Sequence, residues 1–291
     1  MEFWLSRGFA LPTDLLRAEA ELAEEFEFDG LMLNEHIVSP PELTDSRHPY
    51  GERFWDRRSD FPDPWVTFGH LSAATSRLRF CTSVSVLACH ETFAFARSVA
   101  TTARLSGNRV MVGVGAGWLR EDYLATGNDF AARERRTDEM LGTLSRLWAG
   151  EAIYLVGPDG RTQTVELVPP LPTSPVPILY GGISRRGLDR AAGLDGWIGV
   201  GLDMTRLGVA VERLRHIRAA RSLGDRPFQI ITSLAGVASF DACRQAAALG
   251  VTGIVISSAA FGDARTASAM ERRIRFEAFA GDVMGPFRAG P

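Results

Sequence analysis

Imidazole is the side chain that changes charge near neutral pH, so a search of this chain for proton chemistry starts at its histidines. Two of them stand just behind apolar runs. The run GLMLN is followed by Glu35 and His36, so that Asn34, Glu35 and His36 are consecutive polar residues, and the run ending in LACHET carries Cys89 and His90. His36 in that place is suited to donate or accept a proton, or to hydrogen-bond a developing negative charge; a histidine tying down the loop behind it would look the same. His36 and His90 lack the paired spacing of a zinc motif, and Glu91 is the one carboxylate near Cys89 and His90, so no metal site is expected. Cys89, more often a small apolar filler, is a candidate only for lining a pocket.

Two glycine clusters follow strand-like runs. VGVGAGW, residues 112–118, ends in alternating glycines before LREDY opens a helix, which lets the backbone approach a flat or charged ligand. It is not a dinucleotide fingerprint, because the third glycine is at the wrong offset and no acidic ribose partner is evident. YGGIS places Gly181, Gly182 and Ile183 before Ser184, whose hydroxyl can cap the next helix while the backbone N–H groups hold an anion. Arg185 and Arg186 add positive charge there, and a simple serine-capped turn is the plainer alternative. Trp4, Trp118 and Trp197 lie near strand ends, and Trp197 joins Cys89 and His90 as a candidate lining of a substrate pocket.

The elements that must position these residues alternate along the whole chain. Strand-like stretches at 3–6, 30–34, 78–87, 109–114, 176–180, 196–200, 228–233 and 253–257 are separated by helical patterns. Residues 37–63 form a long irregular stretch, and 151–175 reads as an inserted hairpin or excursion. Eight strand–helix units predict a closed parallel (β/α)8 barrel, an α/β TIM barrel, with an open doubly wound sheet as the alternative. No shift in composition divides the 291 residues, so one domain over 1–291 is expected. In such a barrel chemistry sits at the C-terminal ends of the strands, where His36, Cys89, His90 and the two glycine clusters fall, whereas any of the three tryptophans could equally belong to the core.

Composition narrows the function. A net charge of −3 without long runs of one sign leaves no footprint for nucleic acid. Lysine is absent, which removes a Schiff-base nucleophile and a Walker-type phosphate lysine. Cys81, Cys89 and Cys243 are odd in number and widely spaced, so a disulfide framework is not expected and a reducing cytoplasm fits. No export signal is evident, and no run of about 18 apolar residues offers a membrane span.

Taken in order, the segments DPWVTFGHLSAATSRLRFCTSVSVL, FARSVATTARLSGNRVMVGVGAGWLREDY, ATGNDFAARERRTDEMLGTLSRLWAG and VPILYGGISRRGLDRAAGLDGWI resemble consecutive blocks of the bacterial luciferase-like flavin family, in its shorter coenzyme F420-dependent branch. The resemblance runs from about Phe28 to Ile198. It implies a TIM barrel with an insertion after the fourth helix and a deazaflavin at the barrel mouth. Glu35 and His36 match the pair beside the ring, with His36 the catalytic, proton-handling residue. Ser83 and Val84 match the position of a non-proline cis peptide behind the ring. Ala116, Gly117 and Trp118 match a loop flanking the cofactor, and Gly181, Gly182, Ile183 and Ser184 its phosphate site. Where the family commonly has a proline-rich LPxRxP this chain has LACHET, so His90 replaces the arginine and Thr92 the proline. The function implied is an F420-dependent oxidoreductase passing a hydride to or from a small organic substrate. An FMNH2-dependent monooxygenase and a non-catalytic flavin-binding barrel are the alternatives, and family members often form homodimers.

Overall fold

The computed structural model describes residues 1–7, 11–42, 46, 56, 58–263 and 265–289, so the 37–63 stretch falls partly outside the described residues. In chain order the elements are β1 (Glu2–Ser6), α1 (Leu16–Glu25), β2 (Gly30–Leu33), α2 (Pro64–Ser72), β3 (Arg79–Thr82), β4 (Ser85–Val86) and α3 (Thr92–Leu105). Then come β5 (Val110–Gly115), α4 (Arg120–Ala125), α5 (Arg133–Trp148), β6 (Ile153–Val156), β7 (Thr162–Val165), β8 (Ile178–Gly181) and α6 (Arg185–Ala191). The chain continues through β9 (Gly196–Leu202), α7 (Met204–Ala220), β10 (Gln229–Leu234), α8 (Phe240–Ala248), β11 (Gly253–Ser257), α9 (Ala269–Phe279) and α10 (Gly285–Arg288).

Parallel pairing runs β1–β2–β3–β5–β8–β9–β10–β11 and returns to β1, where Phe3 stands opposite Ile254. The ring is closed and has no edge strand, which makes this a TIM barrel. β6 and β7 form a separate antiparallel hairpin between α5 and β8, at the expected insertion after the fourth helical segment.

Alternation along each strand explains why these residues close a barrel. Trp4, Met32, Cys81, Met111, Leu179, Ile198 and Ile231, one from each of seven strands, form a buried cluster that Val255 of the eighth packs against. Their neighbours in sequence, among them Phe3, Leu5, Leu31, Phe80, Val112, Tyr180 and Ile230, pack outward with helix residues such as Ala20, Phe68, Val99 and Leu144. The indole of Trp4 claims the space at the strand-start end: a Cβ on Gly30 would lie 2.2 Å from its ring.

Several helices start at polar caps. Asp63 accepts from the N–H groups of Trp65 and Val66, Glu91 from Phe93 and Ala94, Ser184 from Gly187, and Ser268 forms a capping box with Glu271. The expected strand over 78–87 is interrupted. β3 stops at Thr82, the Ser83–Val84 peptide is cis, β4 resumes pairing with Ser85 opposite Val114, and Leu87–Cys89 turns into a 3-10 helix. Among the described residues no helix is long and apolar enough to cross a membrane.

Candidate active site at the barrel mouth

β2 ends at Leu33, and the next three residues leave the barrel as Asn34, Glu35 and His36. The Nδ1 of His36 lies 2.8 Å from Oδ2 of Asp122, whose side chain on α4 is fully buried. Asp122 uses its other oxygen to accept the N–H groups of Ile37 and Val38, at 2.8 and 2.9 Å. One carboxylate thus fixes both the ring and the backbone that carries it. Because a carboxylate only accepts, Nδ1 is the donor, and basic chemistry at this imidazole falls to Nε2. Phe61 and Trp118 stand edge-on to the ring, with centroids 5.4 and 5.6 Å away.

Glu35 turns the other way. Its Oε2 accepts the Val86 N–H at 2.8 Å and pairs with Nε2 of His90 at 3.0 Å. Burial works to lower the His90 pKa, but the hydrogen bond and charge of Glu35 outweigh it and hold the imidazole above its ordinary value. The ring of His90 lies 4.9 Å from that of Phe95. Arg136 of α5 donates to the carbonyls of Ala88 and His90, at 3.0 and 2.7 Å, and fastens this segment from behind. Cys89 sits in a buried cluster with Val86, Ala88, Tyr123 and Phe130, where burial pushes its thiol up to about 12. It fills space against α4 and is no nucleophile at neutral pH.

Val84 occupies the mouth between two glycines. A Cβ on Gly115 would stand 2.7 Å, and one on Gly181 2.6 Å, from the methyl groups of Val84. Gly113, below them, faces the Thr82 carbonyl in the same way. Three inward positions therefore have to be glycine, and the isopropyl group of Val84 lies where the side chains of Gly115 and Gly181 would be. Ser83 donates its N–H to the Leu33 carbonyl at 2.7 Å, tying the cis peptide to the end of β2. On the β5 side, Tyr123 donates its hydroxyl to the Ala116 carbonyl at 2.5 Å. Gly117 has φ +67°, and a side chain there would also strike Val86, so the turn into Trp118 requires glycine.

At the fifth crossover Gly182 has φ +137°, Ile183 and Ser184 are exposed, and Ser184 Oγ accepts the Gly187 N–H at 3.0 Å. Trp197 is placed differently from expectation. It is fully buried on the outer face of β9 and donates its indole N–H to the Gly182 carbonyl at 2.8 Å, so it braces the glycine turn from behind. Arg186 also leaves the turn, reaching Glu134 and Asp138 at 3.8 and 3.5 Å alongside Arg190. Arg185 stays exposed beside Ser184.

Residues 11–288 match the family model described as luciferase-like monooxygenase. The chain belongs to the luciferase-like monooxygenase family. An uncharacterized protein of Mycobacterium tuberculosis is 32% identical to this luciferase-like chain over 241 residues, covering 81% of it and 82% of the relative. The F420-dependent hydroxymycolic acid dehydrogenase of M. tuberculosis is 27% identical over 66% of this chain and 50% of its own. The FMNH2-dependent dimethylsulfone monooxygenase of Pseudomonas fluorescens is 29% identical over 48% of this chain and 39% of its own. Among solved structures, the coenzyme F420-dependent tetrahydromethanopterin reductase of Methanopyrus kandleri superposes with a TM-score of 0.72 at 12% identity, covering 98% of this chain and 99% of that one. This luciferase-like barrel is thus of an oxidoreductase family in which both kinds of cofactor occur.

The partner of His36 is what sequence reading missed. Asp122 lies within LREDY, which signalled only the start of a helix. Its place beside an aromatic residue, Tyr123, in the first turn of that helix was the available hint.

Proposed function

We propose that this luciferase-like protein is an F420-dependent oxidoreductase acting on a small organic substrate, with His36 handling the proton. The observation that carries the reading is the His36–Asp122 pair at the mouth of the barrel. Asp122 commits Nδ1 and leaves Nε2 as the atom that takes or gives a proton, the arrangement a general acid or base needs. The residues present suit a flat ring with a charged tail. Val84, seated where Gly115 and Gly181 make room for it, would back the ring, and the Gly181–Gly182 turn with Ser184 and Arg185 offers polar groups to a phosphate. A deazaflavin, when bound, supplies hydride transfer, which no side chain of this protein provides. Phe61 and Trp118 confine the imidazole with edge contacts.

Support for F420 over FMN comes from the relatives: the F420-dependent dehydrogenase matches two thirds of this chain, the FMNH2-dependent monooxygenase under half. The latter match favours an FMNH2-dependent monooxygenase as the second reading. Titration of the purified protein with F420, FMN and FAD, followed by cofactor fluorescence, separates them. Saturable quenching of F420 alone is expected; tight FMN binding without an F420 response reverses the assignment. With a turned-over substrate in hand, Asp122→Asn should lower kcat about 10- to 100-fold, as loss of an orienting partner does, with F420 affinity retained. His36→Asn should lower it at least as far, and unchanged turnover in His36→Asn removes the imidazole from the chemistry.

A further inference from the structure

Arg7 is the first residue past β1 and Asn34 the first past β2. These strands are paired, Ser6 opposite Met32, and the Arg7 N–H continues the pairing onto the Met32 carbonyl at 3.2 Å. Two polar groups therefore stand side by side at the mouth end of neighbouring strands, and each has one buried atom without a partner among the described residues. Arg7 is 1% exposed. Its Nε donates to the Leu11 carbonyl at 3.1 Å and one terminal nitrogen to the Asp60 carbonyl, while the other, Nη1, is buried with no acceptor. Both acceptors it does have are neutral backbone groups. The Asp60 carboxylate accepts instead from the N–H and hydroxyl of Thr13, each at 2.8 Å. Asn34 Oδ1 is likewise buried and without a partner, and because amide oxygen and nitrogen are interchangeable in assignment, this group can present a donor as readily as an acceptor.

A buried cation that no carboxylate hydrogen-bonds among the described residues is an unfavourable arrangement: burial pulls the Arg7 pKa down to about 10, and the charge of Asp60 only partly opposes it. A bound anion would supply a direct partner. The position says where it would sit: Phe61 lies 5.8 Å from the Arg7 guanidinium carbon and 5.4 Å from the His36 ring, so a single phenyl group separates the unsatisfied cation from the proton-handling imidazole.

We propose that Arg7 and Asn34 bind a carboxylate carried by the substrate, so that this enzyme acts on small organic acids and not on neutral alcohols or ketones. The planar guanidinium and the amide match the planar two-oxygen acceptor, and the anion satisfies Nη1 while neutralising the buried charge. The inference rests on the reading of the mouth as a redox site but concerns a different ligand, so the two are tested separately.

The probe pair is benzoate and benzamide, alike in shape and different in charge, titrated calorimetrically against the wild-type protein with and without F420. Wild type should bind benzoate at least about tenfold more tightly than benzamide. Arg7→Met should abolish that preference with the F420 quenching curve unchanged, and Arg7→Lys, which keeps the charge and loses the planar fork, should retain part of it. Equal binding of the two probes by wild type overturns the proposal, as does a preference surviving in Arg7→Met. Loss of F420 affinity in Arg7→Met also overturns it, since the guanidinium would then serve the cofactor. If Arg7→Met does not fold, Asn34→Leu takes its place: weakened benzoate binding with benzamide unaffected is expected, and no change in either sinks the idea. Failure of F420 to bind wild type at all, with the benzoate preference intact, would count against the cofactor assignment alone.

Discussion

Glu35 and His36 are adjacent in the chain, yet each is taken up by a partner on the opposite side of the β2 end: Glu35 by His90 and the β4 backbone, His36 by Asp122 of α4. The pairing with His90 gives the protein a pH signature. Glu35 holds the imidazolium above its ordinary pKa of about 6.5, so the charged pair stabilises the fold fully below that value and the contribution fades as pH rises through the raised one. His90→Gln should therefore cost the most near pH 6, about 1–3 kcal/mol for a hydrogen bond between charged groups, with the gap to wild type closing towards pH 9. Urea unfolding of both proteins across that range checks it, and a gap independent of pH would mean that the pair is neutral throughout. His36 was legible in the sequence because it directly follows an apolar strand. Asp122 was not, because it comes from 86 residues further on, and only folding brings α4 over the end of β2. The same holds for His90, whose LACHET surroundings suggested a pocket wall while its ring serves Glu35.

At the scale of elements, the break between β3 and β4 does more for the mouth than any strand end. An apolar run over 78–87 reads as one strand, since alternation and β-branched content continue through it, and only the likeness to the family pointed to a cis peptide at Ser83–Val84. Pattern cannot show where Val84 goes; the facing glycines do. Gly115 and Gly181 come from β5 and β8, the next two strands round the barrel from β4, and each would place a Cβ within 2.7 Å of its methyl groups. Gly181→Ala should destabilise the protein by about 1–3 kcal/mol, the usual cost of overpacking a filled site. Val84→Ala removes the obstructing methyl groups, so the double variant Val84→Ala/Gly181→Ala should be more stable than the sum of its single changes predicts. Denaturant midpoints of the four proteins give the coupling; strict additivity would show that Gly181 and Val84 do not contend for the same space. The helix caps were easier to read, Ser184 before α6 among them, because a cap is a local signal of one residue and its following N–H groups.

Across the whole molecule, the barrel closes where its first and last units meet, and that seam could not be read from periodicity. The alternation of strands and helices gave the count of units and hence the fold, but an arginine-rich last helix said nothing of what its arginines meet. Arg272 of α9 donates to both carboxylate oxygens of Glu19 on α1, at 2.5 and 2.6 Å and across 253 residues of chain, and both side chains are over 90% buried. Phe28, Phe261, Phe276 and Phe279 stack around the same junction, with Phe261 and Phe276 centroids 4.0 Å apart. The burial decides how the pair behaves. Arg272→Leu leaves the Glu19 carboxylate enclosed without a cation and should cost about 3–5 kcal/mol, whereas Glu19→Leu/Arg272→Leu removes both charges and should recover much of that loss. The exposed pair Arg17–Glu21 on α1, at 2.9 Å, is the control, and Arg17→Leu should cost no more than about 1 kcal/mol. Guanidinium unfolding followed by the fluorescence of the tryptophans, Trp4 inside the barrel among them, measures all four proteins. An Arg272→Leu variant no less stable than Arg17→Leu would show that the apolar seam closes the barrel unaided, and that the buried ion pair contributes nothing to holding α1 against α9.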